Sequence, residues 1–286
     1  QDTVEGIIPL NPVQQYFFEQ ADVDHHHYNQ SVLLESKMAL SEAGLKTVLD
    51  KIVMHHDALR MVFYKTDKQW IQENKGEEQG YGLEIIQIPD DAALTQHCQR
   101  IQSSINLQTG PLLKVALFRY PNQTNKLLIV CHHLVTDGVS WRILLEDLSN
   151  LYQQYLSGTP LSLPLKTDSF KYWQQKQNEY ATSVTLKKEE AYWLALNNTL
   201  ADALPKDNPQ GSNTMGDAAA QKCILNKTYT QQLLTACYKA YQTDVNDILL
   251  AALTIALQQT FNINYININL EGHGREDIGA DIDISR

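Results

Sequence analysis

Two short stretches of this chain combine titratable side chains with a backbone free to present them. The first is residues 131–138 (CHHLVTDG), where His132 and His133 stand side by side ahead of Asp137 and Gly138. An imidazole gains and loses a proton near neutral pH, so a histidine here suits general acid/base chemistry. Neighbours at a strand end point to opposite faces, which does not suit the pair to holding one metal ion. One ring is expected to be packed and the other exposed; the plainer alternative is two polar residues that end a strand. Asp137 could act as a carboxylate base or as a structural partner, and a short Asp in a turn before Gly favours the structural role. Gly138 permits a tight turn and Ser140 can cap the helix that follows. The second stretch is residues 271–276 (EGHGRE). Gly272 and Gly274 flank His273, so the chain can bend sharply and approach a ligand. Taken alone, this segment reads as a solvated Glu271 beside a glycine turn, and His273 by itself is equally ambiguous.

The elements around these stretches are readable from periodicity. Residues 29–35 (NQSVLLE) form a strand pattern, and Ser41 suits the N-cap of a helix bearing Leu45, Val48, Leu49, Ile52 and Val53 on one face. His55 and His56 end that helix, where a cation would suit the helix dipole. Residues 59–65 and 70–72 pattern as a hairpin, 83–88 as a strand, and a helix is expected from Asp90 and Asp91. Apolar runs at 112–120 and 126–131 flank PNQTN and predict a second hairpin. A helix from Ser140 then carries Trp141, Leu144, Leu145, Leu148, Leu151, Tyr152 and Tyr155 as a stripe. The motif CHHLVTDG therefore sits at a strand-to-loop-to-helix junction, where rigid elements hold reactive groups. Beyond Gly158 the chain predicts helices near 170–180 and 186–196, a loop at 205–217, and a strand at 222–225. Helices at 229–241 and 245–259 and a strand at 265–270 follow, the last running into EGHGRE.

Composition narrows the function classes. The 286 residues carry 23 Lys and Arg against 33 Asp and Glu, a net charge of −10, which argues against a phosphate-backbone binder. A hydrophobic share of 43% in so long a chain is ample for a core and excludes global disorder. No run approaches the roughly eighteen apolar residues of a membrane span. The four cysteines form no C-x-x-C pair, which predicts a reducing, cytoplasmic setting. His25-His26-His27 lacks a carboxylate cluster nearby, so no metal site is expected there. No phosphate-cradling glycine loop, nucleotide fingerprint or G-x-S-x-G nucleophile motif is present.

Six segments in order resemble the condensation-domain superfamily of nonribosomal peptide synthetases, and within it the epimerization domains. They are residues 7–19 (IIPLNPVQQYFFE), 26–34 (HHYNQSVLL), 55–63 (HHDALRMVF), 131–148 (CHHLVTDGVSWRILLEDL), 247–253 (DILLAAL) and 269–276 (NLEGHGRE). The fourth is similar to the HHxxxDG signature in its epimerization form, with Val139, Ser140 and Trp141 after the glycine. The resemblance implies an α/β (α+β sandwich) fold, chloramphenicol-acetyltransferase-like, of two lobes with the active site between them. Residues 1–175 would form the N-terminal lobe with the HHxxxDG motif. Residues 176–286 would form a connector and the start of a C-terminal lobe left incomplete, because later family motifs are expected after Arg286. The stand-alone chain is accordingly expected to be a poor catalyst.

By motif the family's catalytic residues fall on His133 and Glu271, with His132, Asp137, Gly138, Ser140, Trp141, Gly272, His273, Gly274 and Arg275 in supporting positions. Arg60 is the expected ion-pair partner of Asp137. The implied reaction is epimerization at Cα of an L-aminoacyl or peptidyl thioester on a peptidyl carrier protein, giving a D/L mixture by two-base proton transfer. The domain would bind no cofactor of its own and no metal. Its substrate would arrive on the 4'-phosphopantetheine of the carrier, with adenylation and condensation domains as neighbours. Alternatives are a peptide-bond-forming condensation domain, which would not need Glu271, and a non-catalytic carrier-docking domain.

Overall fold

Local signals start most elements of the first half. The computed structural model describes residues 3–20, 24–36, 40–121, 124–197, 201–211, 214–279 and 281–286. Strand β1 (Gly6–Ile8) leads to helix α1 (Pro12–Glu19), whose Asn11 cap and Gln14 form a reciprocal capping box with Pro12 at the first turn. Then come β2 (Asn29–Glu35), α2 (Glu42–His55), β3 (Met61–Lys65), β4 (Trp70–Asn74), β5 (Gly82–Gln87) and α3 (Asp91–Gln102). Strands β6 (Leu113–Arg119) and β7 (Lys126–His132) precede the long helix α4 (Gly138–Ser157). Helices α5 (Phe170–Ala181), α6 (Val184–Lys187), α7 (Glu190–Asn197), α8 (Lys227–Gln232), α9 (Tyr238–Tyr241) and α10 (Val245–Phe261) complete the chain.

The strands form two sheets. One is antiparallel in the order β1-β4-β3; the other runs β2-β7-β6-β5. The β5–β6 pair is parallel, and α3 supplies the crossover that a parallel pair requires. Within the second sheet β2 pairs antiparallel with β7, setting Asn29 opposite His132 and Gln30 opposite Cys131.

One core joins both sheets to α2 and α4. Helix α2 buries Leu45, Val48, Leu49, Ile52 and Val53, the face expected from spacing. Each such burial stabilises by about 1.5–3 kcal/mol relative to exposure. Its Gly44 lets α4 approach closely: a Cβ there would lie 2.7 Å from Tyr155 Cε1. The Tyr152 hydroxyl, from the same stripe of α4, accepts the Ser41 N–H at 2.8 Å. Burial pulls the His55 pKa down to about 4, so the ring that ends α2 is neutral at neutral pH rather than a cation at the helix terminus.

The chain divides into two compact units, Gln1–Lys187 with Gly272–Arg286, and Lys188–Glu271. In the first, the returning segment is tied down by paired contacts. The Asp168 N–H donates to the Asp283 carbonyl at 2.8 Å, and the Asp283 N–H donates to Asp168 Oδ2 at 2.9 Å. Arg286 Nη2 reaches Asp147 Oδ1 at 2.5 Å, while His56 Nε2 lies 2.8 Å from Asp147 Oδ2. Burial alone would raise the Asp147 pKa, but these two partners prevail and hold it below the usual carboxylate range.

The second unit contains helices and irregular chain. The strands expected at 222–225 and 265–270 are irregular, and a π-type turn at Leu233–Cys237 interrupts the expected helix at 229–241. A strand needs a neighbour to satisfy its N–H and C=O groups, and among the described residues no strand lies within Lys188–Glu271. Instead, Asp202 accepts the N–H groups of Asn264 and Tyr265 at 2.7 and 3.1 Å, and donates its own N–H to the Tyr265 carbonyl.

Candidate active site

Strand β7 ends on His132, and the alternation of the strand sends its side chain inward. The ring is fully buried and edge-on to Phe17. Its Nδ1 accepts the Leu134 N–H at 3.1 Å, so its Nε2 carries the proton and donates to the His25 carbonyl at 2.9 Å. Burial pulls its pKa down to about 4, so this imidazole is neutral at neutral pH and has both nitrogens engaged. His132 is therefore a packed tie between β7 and the loop that carries His25. That loop is held elsewhere too: His25 packs among Phe17, Phe18 and Trp70, and His26 Nδ1 accepts the Leu107 N–H.

His133 opens the tight turn His133–Val135 and is only half-buried. Its N–H donates to the Tyr28 carbonyl at 2.9 Å, extending the β2–β7 pairing by one bond. The Tyr28 ring lies against the imidazole, with ring planes 9° apart and centroids 5.5 Å apart. The Nδ1 lies 2.9 Å from the Thr136 carbonyl, an acceptor, and therefore donates. Gln30 Nε2 lies 3.3 Å from His133 Nε2, and the Trp141 indole N–H donates to Gln30 Oε1 at 2.7 Å. Tyr28, the residue before β2, and Gln30, two residues on and within it, thus flank the ring from the same stretch of chain.

Asp137 caps α4: its carboxylate accepts the Ser140 N–H at 2.6 Å. The helix begins at Gly138, and Ser140 lies inside its first turn rather than at its cap. The expected Arg60–Asp137 pair is not formed. Arg60 is buried and bonds Asp57 at 2.6 Å and the carbonyls of Val53 and Met54 at the end of α2, where a guanidinium meets the unsatisfied carbonyls of the last turn. The cation beside Asp137 is Arg275, with Nε 3.8 Å from Oδ2.

Arg275 links the two motifs. Its guanidinium donates to the Ile284 carbonyl at 2.6 Å and to Ser140 Oγ at 3.2 Å, so EGHGRE meets the first turn of α4 through its arginine. His273 Nδ1 accepts the Arg275 N–H at 2.9 Å, a turn for which Gly274 supplies a φ of +70°. Glu271, Gly272, His273 and Gly274 are exposed; Glu271 is the last residue of the second unit and Gly272 the first of the segment that returns to the first.

Tyr28, Gln30 and the Thr136 carbonyl are absent from the residues singled out by sequence. The available signal was the period of two in YNQ, but its pairing register with β7 is not written in either strand alone. Among the described residues no group of three or more His, Cys, Asp or Glu is arranged to hold a metal ion, and no helix is long and apolar enough to cross a membrane.

Comparison with known proteins bears on this site. The family profile described as "Condensation domain" matches residues 4–286. A plipastatin synthase protein of Bacillus subtilis is 43% identical over all of this chain, which spans 11% of that protein. Tyrocidine synthase 1 of Brevibacillus parabrevis is 40% identical, with the chain spanning 27% of it. The crystal structure of the epimerization domain from the third module of tyrocidine synthetase B superposes with a TM-score of 0.94 at 40% identity, covering 100% of this chain and 66% of that one. The condensation domain of the Monacolin K polyketide synthase superposes with a TM-score of 0.69 at 16% identity, covering 92% of this chain and 61% of that one, a likeness of fold alone.

Proposed function

The chain belongs to the condensation-domain family, and within that family we propose that it is an epimerization domain of a nonribosomal peptide synthetase. The observation that carries this reading is the 40% identity and 0.94 TM-score to an epimerization domain over the whole chain. The substrate would be an L-aminoacyl or peptidyl thioester on the 4'-phosphopantetheine of a peptidyl carrier protein, with adenylation and condensation domains as neighbours.

The chemistry matches the residue types. Inversion at Cα removes one proton and returns another to the opposite face. A thioester assists because the electron pair left on Cα delocalises as an enolate. Two acid/base groups then suffice, and His133 and Glu271 are the pair proposed. In His133 the Nδ1–H is engaged by the Thr136 carbonyl, so the proton-accepting atom is Nε2. This scheme routes no step through a metal or a cofactor of the domain.

The test is Cα exchange in a synthetase module that carries this chain. A carrier-bound aminoacyl thioester in deuterium oxide should acquire deuterium at Cα and yield both enantiomers. Peptide coupling without Cα exchange would instead assign the chain to condensation, and carrier binding with neither reaction would assign it to docking.

A further inference from the structure

We propose that Gln30 is a positioning residue: held in one orientation by Trp141, it presents an amide N–H to His133 Nε2 and keeps that nitrogen as the unprotonated, proton-accepting one. The argument is one of donors and acceptors. An indole N–H can only donate, so the Gln30 oxygen must face Trp141 Nε1, 2.7 Å away. The amide nitrogen is then turned toward His133 Nε2 at 3.3 Å. An amide NH₂ cannot accept, so Nε2 must offer its lone pair. On the other side of the ring the Thr136 carbonyl demands a proton on Nδ1. Both ends of the relay select the same neutral tautomer.

The placement follows from the fold. Tyr28, just ahead of β2, lies against the ring, and Gln30, two residues on and within β2, lies at its Nε2. Trp141 comes from the first turn of α4, just past the Asp137 cap. A strand and a turn therefore bond one imidazole, with the helix acting on it through Gln30, and rotation of the ring would break the bonds to Gln30 and to the Thr136 carbonyl. The Gln30 contact is long for a hydrogen bond, which suits a contact that a substrate proton displaces. That catalytic part rests on reading His133 as an acid/base group; the tautomer does not.

The test reads the tautomer directly. In histidine-¹⁵N-labelled protein, two-bond ¹H–¹⁵N correlations at neutral pH distinguish the ring nitrogens, and His133→Gln identifies the signal by its loss. The expected wild-type pattern is a protonated Nδ1 and a bare Nε2. Gln30→Glu keeps the shape but replaces the NH₂ with an acceptor, so Nε2 should acquire a proton and Cα exchange should fall by about 10²-fold. Gln30→Met, which offers neither donor nor acceptor, should lose less. A space-filling role would give the reverse order, because Glu is the closer isostere. Trp141→Phe frees the amide to turn over and should produce a second His133 signal with Nε2 protonated. A wild-type Nε2–H tautomer would overturn the proposal, as would a folded Gln30→Glu protein whose Nε2 stays bare. Absent exchange with the expected tautomer would remove the epimerization reading and leave the relay standing.

Discussion

The two histidine-bearing motifs are built in opposite ways. CHHLVTDG lies where a paired strand turns into a capped helix, and its His132, His133 and Asp137 side chains each meet a specific partner within a packed unit. In EGHGRE, five of the six residues are exposed, the backbone follows a glycine-permitted turn, and Arg275 anchors the segment to the first turn of α4. The same residue type therefore carries different information in the two places. His132 and His133 are constrained by register and burial, whereas His273 makes a local turn contact with the Arg275 N–H. A rigid junction can hold one imidazole tautomer; an exposed turn supplies a group whose setting is decided by what stands around it.

The strongest way to break this contrast is to remove the proposed acid/base group from each motif. His133→Ala and Glu271→Gln are each expected to lower Cα exchange by about 10²–10⁴-fold with the unfolding midpoint nearly unchanged, measured on the same preparations. Full turnover in both would end the two-base scheme. Loss in His133→Ala alone would put the chemistry in the rigid junction.

His132→Ala should act on stability instead. It empties a buried site and strands the His25 carbonyl and the Leu134 N–H, a cost of about 3 kcal/mol in denaturant titrations. The pH dependence has a definite sign. The folded ring protonates only near pH 4 because it is buried, whereas the unfolded chain takes that proton near about 6.5. Its contribution is fully present above about pH 6.5 and falls by up to about 1.4 kcal/mol per pH unit as the pH drops toward 4. His55, also held near 4 by burial, works in the same direction. His132→Phe should flatten that slope, and an unchanged slope would contradict the buried neutral ring.

Smaller effects sharpen the link between the motifs. Asp137→Ala removes the cap of α4 and should cost about 1 kcal/mol, whereas Asp137→Asn, still able to cap, should cost less. Arg275→Met loses a long ion pair and two hydrogen bonds at a partly exposed site. It should shift stability by under about 1 kcal/mol, with hydrogen exchange rising first in residues 138–141. Faster exchange spread across the whole first unit would mean that Arg275 supports more than this junction.

Much of the first unit was legible because its signals are local. Ser41 and Asp90 cap the helices expected of them, and the apolar stripe of α2 is the face that the core buries. The helix at α4 was legible but its start was not: Ser140 and Asp137 are both competent caps, and the Asp137 carboxylate takes the role by accepting the Ser140 N–H. The Arg60–Asp137 pair failed for a related reason. Opposite charges suggest a bond, but Arg60 is enclosed at the end of α2 by nearer acceptors, while Arg275 comes to Asp137 from more than a hundred residues away. The strand at 265–270 had the right composition, but a strand is completed by a neighbour and not by its own residues.

Sequence alone determined the chemical groups available, their order, and the local starts and stops that put His132-His133 at the end of a strand before a capped helix. These follow from nearest-neighbour sterics and capping, which act over a few residues. Only the tertiary structure decided which imidazole is a packed tie and which faces Tyr28, Gln30 and Thr136. That choice depends on the β2–β7 register and on the approach of α4, which are hydrogen bonds and packing contacts between residues about a hundred positions apart.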